Sequence, residues 1–180
     1  MKVLGIDTSG MSASAAVLTA STLGIAAATE PRAHARVLPD LIVAAARDAG
    51  SDVDAVTHVA VARGPGMFTG MRVGLVAAQM YAMARGLDLA GVSTLQACAH
   101  RVLARHSPDR TFAVAVDARR REVFLQAFGP AAEPIGPVTA VPVNEVSAAA
   151  DALDAVLFVD ASMPDVQEAG VPLDLSLIHI

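Results

Sequence analysis

The residues whose types best suit binding or catalysis directly follow the first apolar run of the chain. They are Asp7, Thr8, Ser9 and Gly10. A carboxylate at the end of a strand can hold a hydrated Mg²⁺, while the hydroxyl and N–H groups of the next turn face a phosphate. The same residue types also form ordinary turns. Asp7, Thr8 and Ser9 are therefore candidate nucleotide or phosphate contacts, with a simple turn as the alternative.

A second carboxylate, Asp117, also closes an apolar run and so repeats the layout of Asp7. If the two carboxylates met across a cleft, they could hold Mg²⁺ for phosphoryl transfer. This pair leaves an ATP-dependent phosphotransferase or ATPase open as an alternative function. We otherwise expect no cofactor beyond weak binding of Mg-nucleotide.

A glycine-dense loop with the sequence RGPGMFTGMRVG occupies residues 63–74 and opens a helix rich in small residues. Glycine permits close approaches that side chains would block, so the loop predicts a backbone site at the start of the helix. Its spacing matches neither a dinucleotide fingerprint nor a Walker loop, which would need Lys where Met71 stands. The positions that would form the site are Gly64, Pro65, Gly66, Thr69 and Gly70.

Other reactive residue types form no recognisable catalytic set. The five histidines lack metal-ligand spacing, and the single cysteine, Cys98, excludes an intrachain disulfide. We therefore predict no metal site and no catalytic residue. Arg119, Arg120 and Arg121 form a basic run without interleaved aromatic residues, which is typical of a solvated turn.

The charge balance restricts the partners that the chain can bind on its own. Thirteen basic and eighteen acidic residues give a net charge of −5, which disfavours non-specific binding to a nucleic acid. Contact with RNA would need a local basic patch or a partner. The apolar runs are shorter than the ~20 residues of a membrane span, and the amino terminus lacks a signal layout, so we expect a cytoplasmic protein without membrane contact.

The elements that must position these residues alternate between strands and helices. Apolar runs and turn residues predict three antiparallel strands over residues 3–29, a helix over residues 38–50 with Pro39 in its first turn, and a buried strand over residues 58–62. A strand at 89–92 and a helix at 93–106 follow. The strands predicted at 112–116 and 123–128 faintly repeat the opening pattern, and one more apolar run covers 155–159. We expect a first lobe over residues 1–106 and a second, smaller lobe over 107–180, whose apolar end at 175–180 suggests truncation.

The helix after the glycine loop carries two apolar faces at ~100° per residue. One face is predicted to cover the sheet of its own lobe and contains Val73, Val76, Ala77, Met80, Ala84 and Leu87. The other face needs a second cover, either a neighbouring helix or another protein. It contains Met71, Leu75, Ala78 and Ala82.

Several of these motifs together resemble the bacterial TsaB family, the accessory subunits of tRNA threonylcarbamoyladenosine synthesis. The resemblance covers about residues 1–128 and rests on LGIDTS at 4–9, RAH at 32–34, LP at 38–39, the glycine loop, GVSTL at 91–95 and DARR at 117–120. Two positions depart from the family pattern. Met67 stands where Ser is usual, and Arg121 stands where Gly is common.

The resemblance implies an α/β, actin/hexokinase-like fold of two ribonuclease-H-like lobes. It also implies a non-catalytic subunit that pairs with its catalytic paralogue TsaD, works with the ATPase TsaE, forms a homodimer when alone and meets tRNA only through the complex. The partner interface would use the second apolar face of the helix after the loop, with weaker candidates on the preceding helix. These are Met71, Leu75, Ala78 and Ala82, and then Leu38, Leu41, Ile42 and Ala45.

Overall fold

The structure is a computed structural model that describes residues 1–30, 32–160, 163, 166 and 170–173. The chain divides into two compact units, of which the first comprises residues 1–93 and the second begins at Thr94. Each unit is built on one five-stranded mixed sheet. The terminal segment 175–180, which suggested a truncated lobe, lies outside the described residues.

The first unit begins with the predicted antiparallel meander, β1 (Val3–Asp7), β2 (Ala13–Leu18) and β3 (Leu23–Ala28). Two strands extend the sheet in parallel on the other side of β1, giving the order β3-β2-β1-β4-β5. The remaining elements of this unit are α1 (His34–Asp48), a 3₁₀ turn (Val53–Ala55), β4 (His58–Ala62), α2 (Phe68–Arg85) and β5 (Asp88–Val92).

The second unit repeats this connectivity around β6. It starts with α3 (Thr94–His106), and then β6 (Phe112–Arg119), β7 (Glu122–Phe128) and β8 (Pro134–Pro142) form a second antiparallel meander. After a 3₁₀ turn (Val143–Glu145) and α4 (Val146–Asp151), β9 (Val156–Asp160) and β10 (Val171–Leu173) continue in parallel beyond β6. The faint sequence repeat therefore corresponds to a duplicated sheet topology.

The predicted division after residue 106 does not match this grouping of contacts, because α3 belongs to the second unit. Ala97, Cys98 and Val102 of α3 are buried, and the helix contacts β6 and β7. An apolar stripe on a helix shows that the helix packs on something, but it does not say which of two sheets receives it. The proline-rich part of the chain also gave no signal for β8 or α4.

Helices α1 and α2 cover one face of the first sheet and form its core. Leu38, Ile42 and Ala45 of α1 are buried, and α1 lies so close to β3 that a Cβ on Gly24 would come within 2.2 Å of the Ala45 carbonyl oxygen. Pro39 stands inside α1 and not in its first turn, because the helix already begins at His34.

The hairpin between β6 and β7 ends in a turn made of arginines. Arg119, Arg120 and Arg121 have φ angles of 67°, 56° and 64°, in the left-handed region that costs residues with a Cβ about 1–2 kcal/mol. Arg119 pairs with Glu122, so Arg120 and Arg121 are the two central residues of the turn. Positive φ at both central positions is typical of a type I′ turn, for which Asn and Gly are the usual residues.

We expect Arg121→Gly to raise the free energy of unfolding by about 0.5–1 kcal/mol. Glycine enters the left-handed region without steric strain, although it loses more backbone entropy on folding than arginine does. Urea denaturation compares the two chains. The matched control is Arg110→Gly, at an exposed arginine without a positive φ, and an equal gain there would show that turn strain is not the cause.

Candidate functional site

The turn after β1, which carries the candidate phosphate contacts, is buried. Asp7, Thr8 and Ser9 are only 2–4% exposed. The Asp7 carboxylate accepts a hydrogen bond of 2.7 Å from the backbone N–H of Ser9. Burial raises the pKa of the Asp7 carboxyl above its usual range, and the hydrogen bonds from Ser9 and the charge of His34 offset this only in part.

The hydroxyl group of Thr8 bonds to α2 as both a donor and an acceptor. It donates to the carbonyl oxygen of Gly70 at 2.8 Å and accepts from the N–H of Gly74 at 3.0 Å, the two groups that bond to each other in a regular helix. The carbonyl oxygen of Ser9 accepts a hydrogen bond of 2.6 Å from the N–H of Met67. The turn therefore anchors the start of α2 to the end of β1.

The glycines of the loop allow this close contact. A Cβ on Gly66 would lie 2.5 Å from the Ser9 carbonyl oxygen, one on Gly70 would lie 2.1 Å from the Thr8 carbonyl oxygen, and one on Gly74 would lie 2.4 Å from Thr8 Oγ1. Gly64 has a φ of 97° and precedes a cis bond to Pro65, while Thr69 is exposed. The predicted backbone site at the helix start is thus filled, at these three glycines, by the chain's own turn.

The second candidate carboxylate, Asp117, belongs to the second unit. One of its oxygens accepts a hydrogen bond of 2.6 Å from the N–H of Arg119, and the other lies 3.2 Å from the Arg119 guanidinium. A shared Mg²⁺ site with Asp7 stays a prediction. Among the described residues, no group of three or more His, Cys, Asp or Glu side chains is placed to hold a metal ion.

The burial of Asp7 leads to a prediction about pH dependence. Its folded-state pKa lies above the unfolded value, so its favourable contribution is complete below the unfolded pKa and is lost as the pH rises through the folded pKa. We expect Asp7→Asn, which keeps an acceptor for Ser9, to stabilise the fold at pH 7 by an amount on the order of 1 kcal/mol.

Urea denaturation of both chains between pH 3 and pH 7 checks this expectation. The advantage of the Asn variant should grow with pH. An Asn variant that is less stable than the parent chain at pH 7 would show that the ionised carboxylate has a stabilising partner.

The predicted partner interface on α2 is wrong for its central residues. Ala78 and Ala82 are 0% and 4% exposed and lie in the core of the first unit, while Met71 and Leu75 are half-buried. On α1, Leu38, Ile42 and Ala45 are also buried, and Leu41 is half-buried. The sheet of this chain already covers most of the surface that was assigned to a partner.

The exposed side of α2 carries the large apolar residues instead. We call it the α2 face, and it consists of Phe68, Arg72, Val76, Met80 and Met83. Its four apolar members are 63%, 52%, 62% and 80% exposed, in sequence order. The Arg72 guanidinium lies 4.0 Å from the centre of the Phe68 ring, as a cation–π pair within this face.

The sequence prediction for the sheet-facing side of α2 is correct only in part. Val73, Ala77 and Leu87 pack against the core as predicted, but Val76 and Met80 are exposed. The side that lies closest to the sheet is built from the smallest residues. Gly70, Gly74, Ala78 and Ala82 follow one another at intervals of four and are all buried. The clue was available in the sequence, since a row of glycine and alanine marks the side where a helix can approach a sheet most closely.

Helix α2 is also anchored at its carboxyl end. The Tyr81 hydroxyl donates a hydrogen bond of 2.6 Å to the carbonyl oxygen of Val53, and the Arg85 guanidinium bonds to both the carboxylate and the carbonyl of Asp54. With Thr8 and Ser9 holding the first turns, the α2 face is presented by a helix that is fixed at both ends.

Comparison with known proteins places this geometry in a family. The family model described as TsaD, tRNA N6-adenosine threonylcarbamoyltransferase, matches residues 10–158. The tRNA threonylcarbamoyladenosine biosynthesis protein TsaB of Escherichia coli is 32% identical over 128 residues. The chain belongs to the TsaD/TsaB family. These residues make up 71% of the chain but only 55% of the E. coli TsaB protein, so the chain spans about half the length of this relative.

Solved structures confirm the fold. YeaZ from Pseudomonas aeruginosa is 29% identical, with a TM-score of 0.79 over 98% of this chain and 85% of that structure. A Bacteroides thetaiotaomicron protein with an actin-like ATPase fold is 6% identical, with a TM-score of 0.52 over 93% of this chain and 85% of that protein. At this low identity the similarity shows the fold alone. No helix in the described part of the TsaD/TsaB-family chain has the length and apolarity needed to cross a membrane.

Proposed function

We propose that this chain is a non-catalytic subunit in tRNA threonylcarbamoyladenosine biosynthesis and that it pairs with a TsaD-like catalytic subunit through the α2 face. The observation that carries the proposal is the exposure of Phe68, Val76, Met80 and Met83 along one side of a helix that is fixed to its own sheet. Single exposed apolar residues are ordinary on protein surfaces, but an apolar row on one helix is typical of an interaction site.

A TsaD-like subunit is the occupant that the comparisons favour. The family model that matches this chain is itself a TsaD model, so a TsaD-like subunit shares the fold and can offer an equivalent helix. Two helices that pack side by side bury large apolar residues in a strip like the α2 face. Burying each large apolar side chain contributes about 1.5–3 kcal/mol, and the aromatic and methionine residues present here are enriched in interfaces.

The accessory role is supported by the contacts that the turn after β1 makes with the chain's own helix α2. Phosphate loops offer hydroxyl and N–H groups to their ligand, but the Thr8 hydroxyl is used by Gly70 and Gly74, and Gly66 packs against Ser9. The alternative of an ATP-dependent phosphotransferase gains no support from this arrangement. Calorimetry with Mg-ATP separates the two functions, because heat that is lost in Asp7→Asn would favour the phosphotransferase.

The proposal extends to the wider assembly. A TsaE-like ATPase would act on the pair, and without the TsaD-like subunit two copies of this chain would meet through the same α2 face. The work of the assembly on tRNA would take place in the cytoplasm.

The test is reconstitution of the chain with the TsaD-like and TsaE-like subunits of the same organism. Light scattering during size-exclusion chromatography is expected to show a stable pair with the TsaD-like subunit. Mass spectrometry of digested tRNA should detect the modified adenosine only when this chain is present. A chain that does not pair, or a TsaD-like subunit that is fully active alone, would refute the proposal.

A further inference from the structure

We propose that Arg119, Arg120 and Arg121, which we call the arginine tip, bind the phosphate backbone of an RNA. The inference rests on the proposed function, since it adds a direct contact between this chain and the tRNA on which the assembly acts. The sequence alone favoured a solvated turn for these residues. The structure adds three observations, which concern position, charge and backbone conformation.

The arginine tip is exposed and held in a defined position. All three arginines are exposed at the end of the β6–β7 hairpin. Asp117 accepts from the backbone N–H of Arg119 at 2.6 Å, and its other oxygen lies 3.2 Å from the guanidinium of the same residue. At the second central residue of the turn, the carbonyl oxygen of Arg121 accepts a hydrogen bond of 2.9 Å from the backbone N–H of Val143. The charges are thus presented on a hairpin end that is tied down on both sides.

The local charge opposes that of the whole chain. Asp117 partly neutralises Arg119, but the guanidinium groups of Arg120 and Arg121 form no ion pair with any described residue. The net charge of the chain is −5, which disfavours non-specific binding to a polyanion. The arginine tip is therefore a local cluster of positive charge on a chain whose net charge is negative, and it can attract an RNA backbone that the chain as a whole does not.

The backbone conformation places the three arginines where their side chains cost the fold free energy. All three have a positive φ, a region in which glycine or asparagine would be less strained. Residues that keep a strained conformation cluster at functional sites, where the side chain has a use that outweighs the strain. What the arginines supply here, and glycine would not, is charge with a forked donor group.

Phosphate fits the arginine tip better than an acidic protein surface does. Guanidinium groups bind phosphate and carboxylate equally well in geometry, but a protein interface also needs an apolar centre. Residues 117–122 contain no exposed large apolar side chain. A site that offers only cationic donors is typical of contacts to a nucleic-acid backbone, which position the nucleic acid without reading its sequence.

The test measures binding of an unmodified tRNA transcript by fluorescence anisotropy over a series of salt concentrations. It uses the full chain, both alone and paired with the TsaD-like subunit, and compares it with the variant Arg120→Gln, Arg121→Gln. We expect the variant to bind about ten-fold more weakly, with a salt slope reduced by about 1.4–1.8, the value for the loss of two phosphate contacts. Arg120→Lys, Arg121→Lys should restore the slope.

The matched control is Arg105→Gln, Arg110→Gln, which removes two other exposed arginines from the same unit and should leave the slope unchanged. An equal slope for the parent chain and the tip variant would overturn the inference, as would the absence of tRNA binding by both the chain and the pair. Weakened pairing of the subunits with unchanged tRNA binding would assign the arginine tip to a protein contact instead. Because pairing is measured separately on the α2 face, failure of this inference leaves the proposed function standing.

Discussion

Val76→Glu combined with Met80→Glu is expected to lower the affinity for the TsaD-like subunit at least 100-fold. Each substitution removes about 1.5–3 kcal/mol of apolar burial and places an unpaired carboxylate in the interface, and a total near 2.7 kcal/mol already corresponds to 100-fold. Because the two side chains are 52% and 62% exposed in the free chain, the first unit should fold normally. Isothermal titration calorimetry measures the affinity, and circular dichroism monitors the fold.

Two controls make this result specific to the α2 face. Leu18→Glu places the same charge at a leucine that is 45% exposed on β2, and it should leave pairing unchanged. Ala78→Glu places the charge in the core, where Ala78 is fully buried, and should unfold the first unit instead of only separating the subunits. Normal pairing by the folded double variant would move the interface to another surface.

The strands of the first unit could be predicted from the sequence because their signals are local. Alternating turns and apolar runs identified β1, β2 and β3, and the continuous apolar run of β4 matched its observed limits. Signals that depend on distant contacts were not available. Thr8 and Gly70 are 62 residues apart, so the sequence could suggest chemistry for the Thr8 hydroxyl but could not show that α2 uses it.

Side-chain size explains the main error about the candidate site. Counting apolar residues on α2 gave two similar faces, and the size difference between alanine and methionine decided which face lies against the sheet.

The arginine tip shows a different limit of sequence-based prediction, because a run of three arginines does not reveal a positive φ at each of them. Strand β8 was missed because it contains three prolines, which an edge strand tolerates where it pairs on only one side.

Gly70→Ala is expected to lower the free energy of unfolding of the first unit by about 3 kcal/mol or more. In an ordinary helix the same change stabilises by about 1 kcal/mol, so the sign of the effect is itself informative. Here the new Cβ would stand 2.1 Å from the backbone carbonyl oxygen of Thr8, and overpacking against backbone forces α2 away from β1. Gly10→Ala is the control, because open space surrounds a Cβ at Gly10, and urea denaturation measures both.

Gly70 and Gly74 differ in the Thr8 atom that an added Cβ would meet, which is a backbone oxygen for Gly70 and a side-chain oxygen for Gly74. A Cβ on Gly74 would meet the side-chain oxygen of Thr8 at 2.4 Å, so Thr8→Ala should relieve much of the damage from Gly74→Ala, with a coupling of about 1–2 kcal/mol in a double-mutant cycle. The same change cannot relieve Gly70→Ala, whose obstacle is backbone. Equal couplings in the two cycles would show that the Thr8 side chain is not the obstacle that distinguishes Gly74 from Gly70.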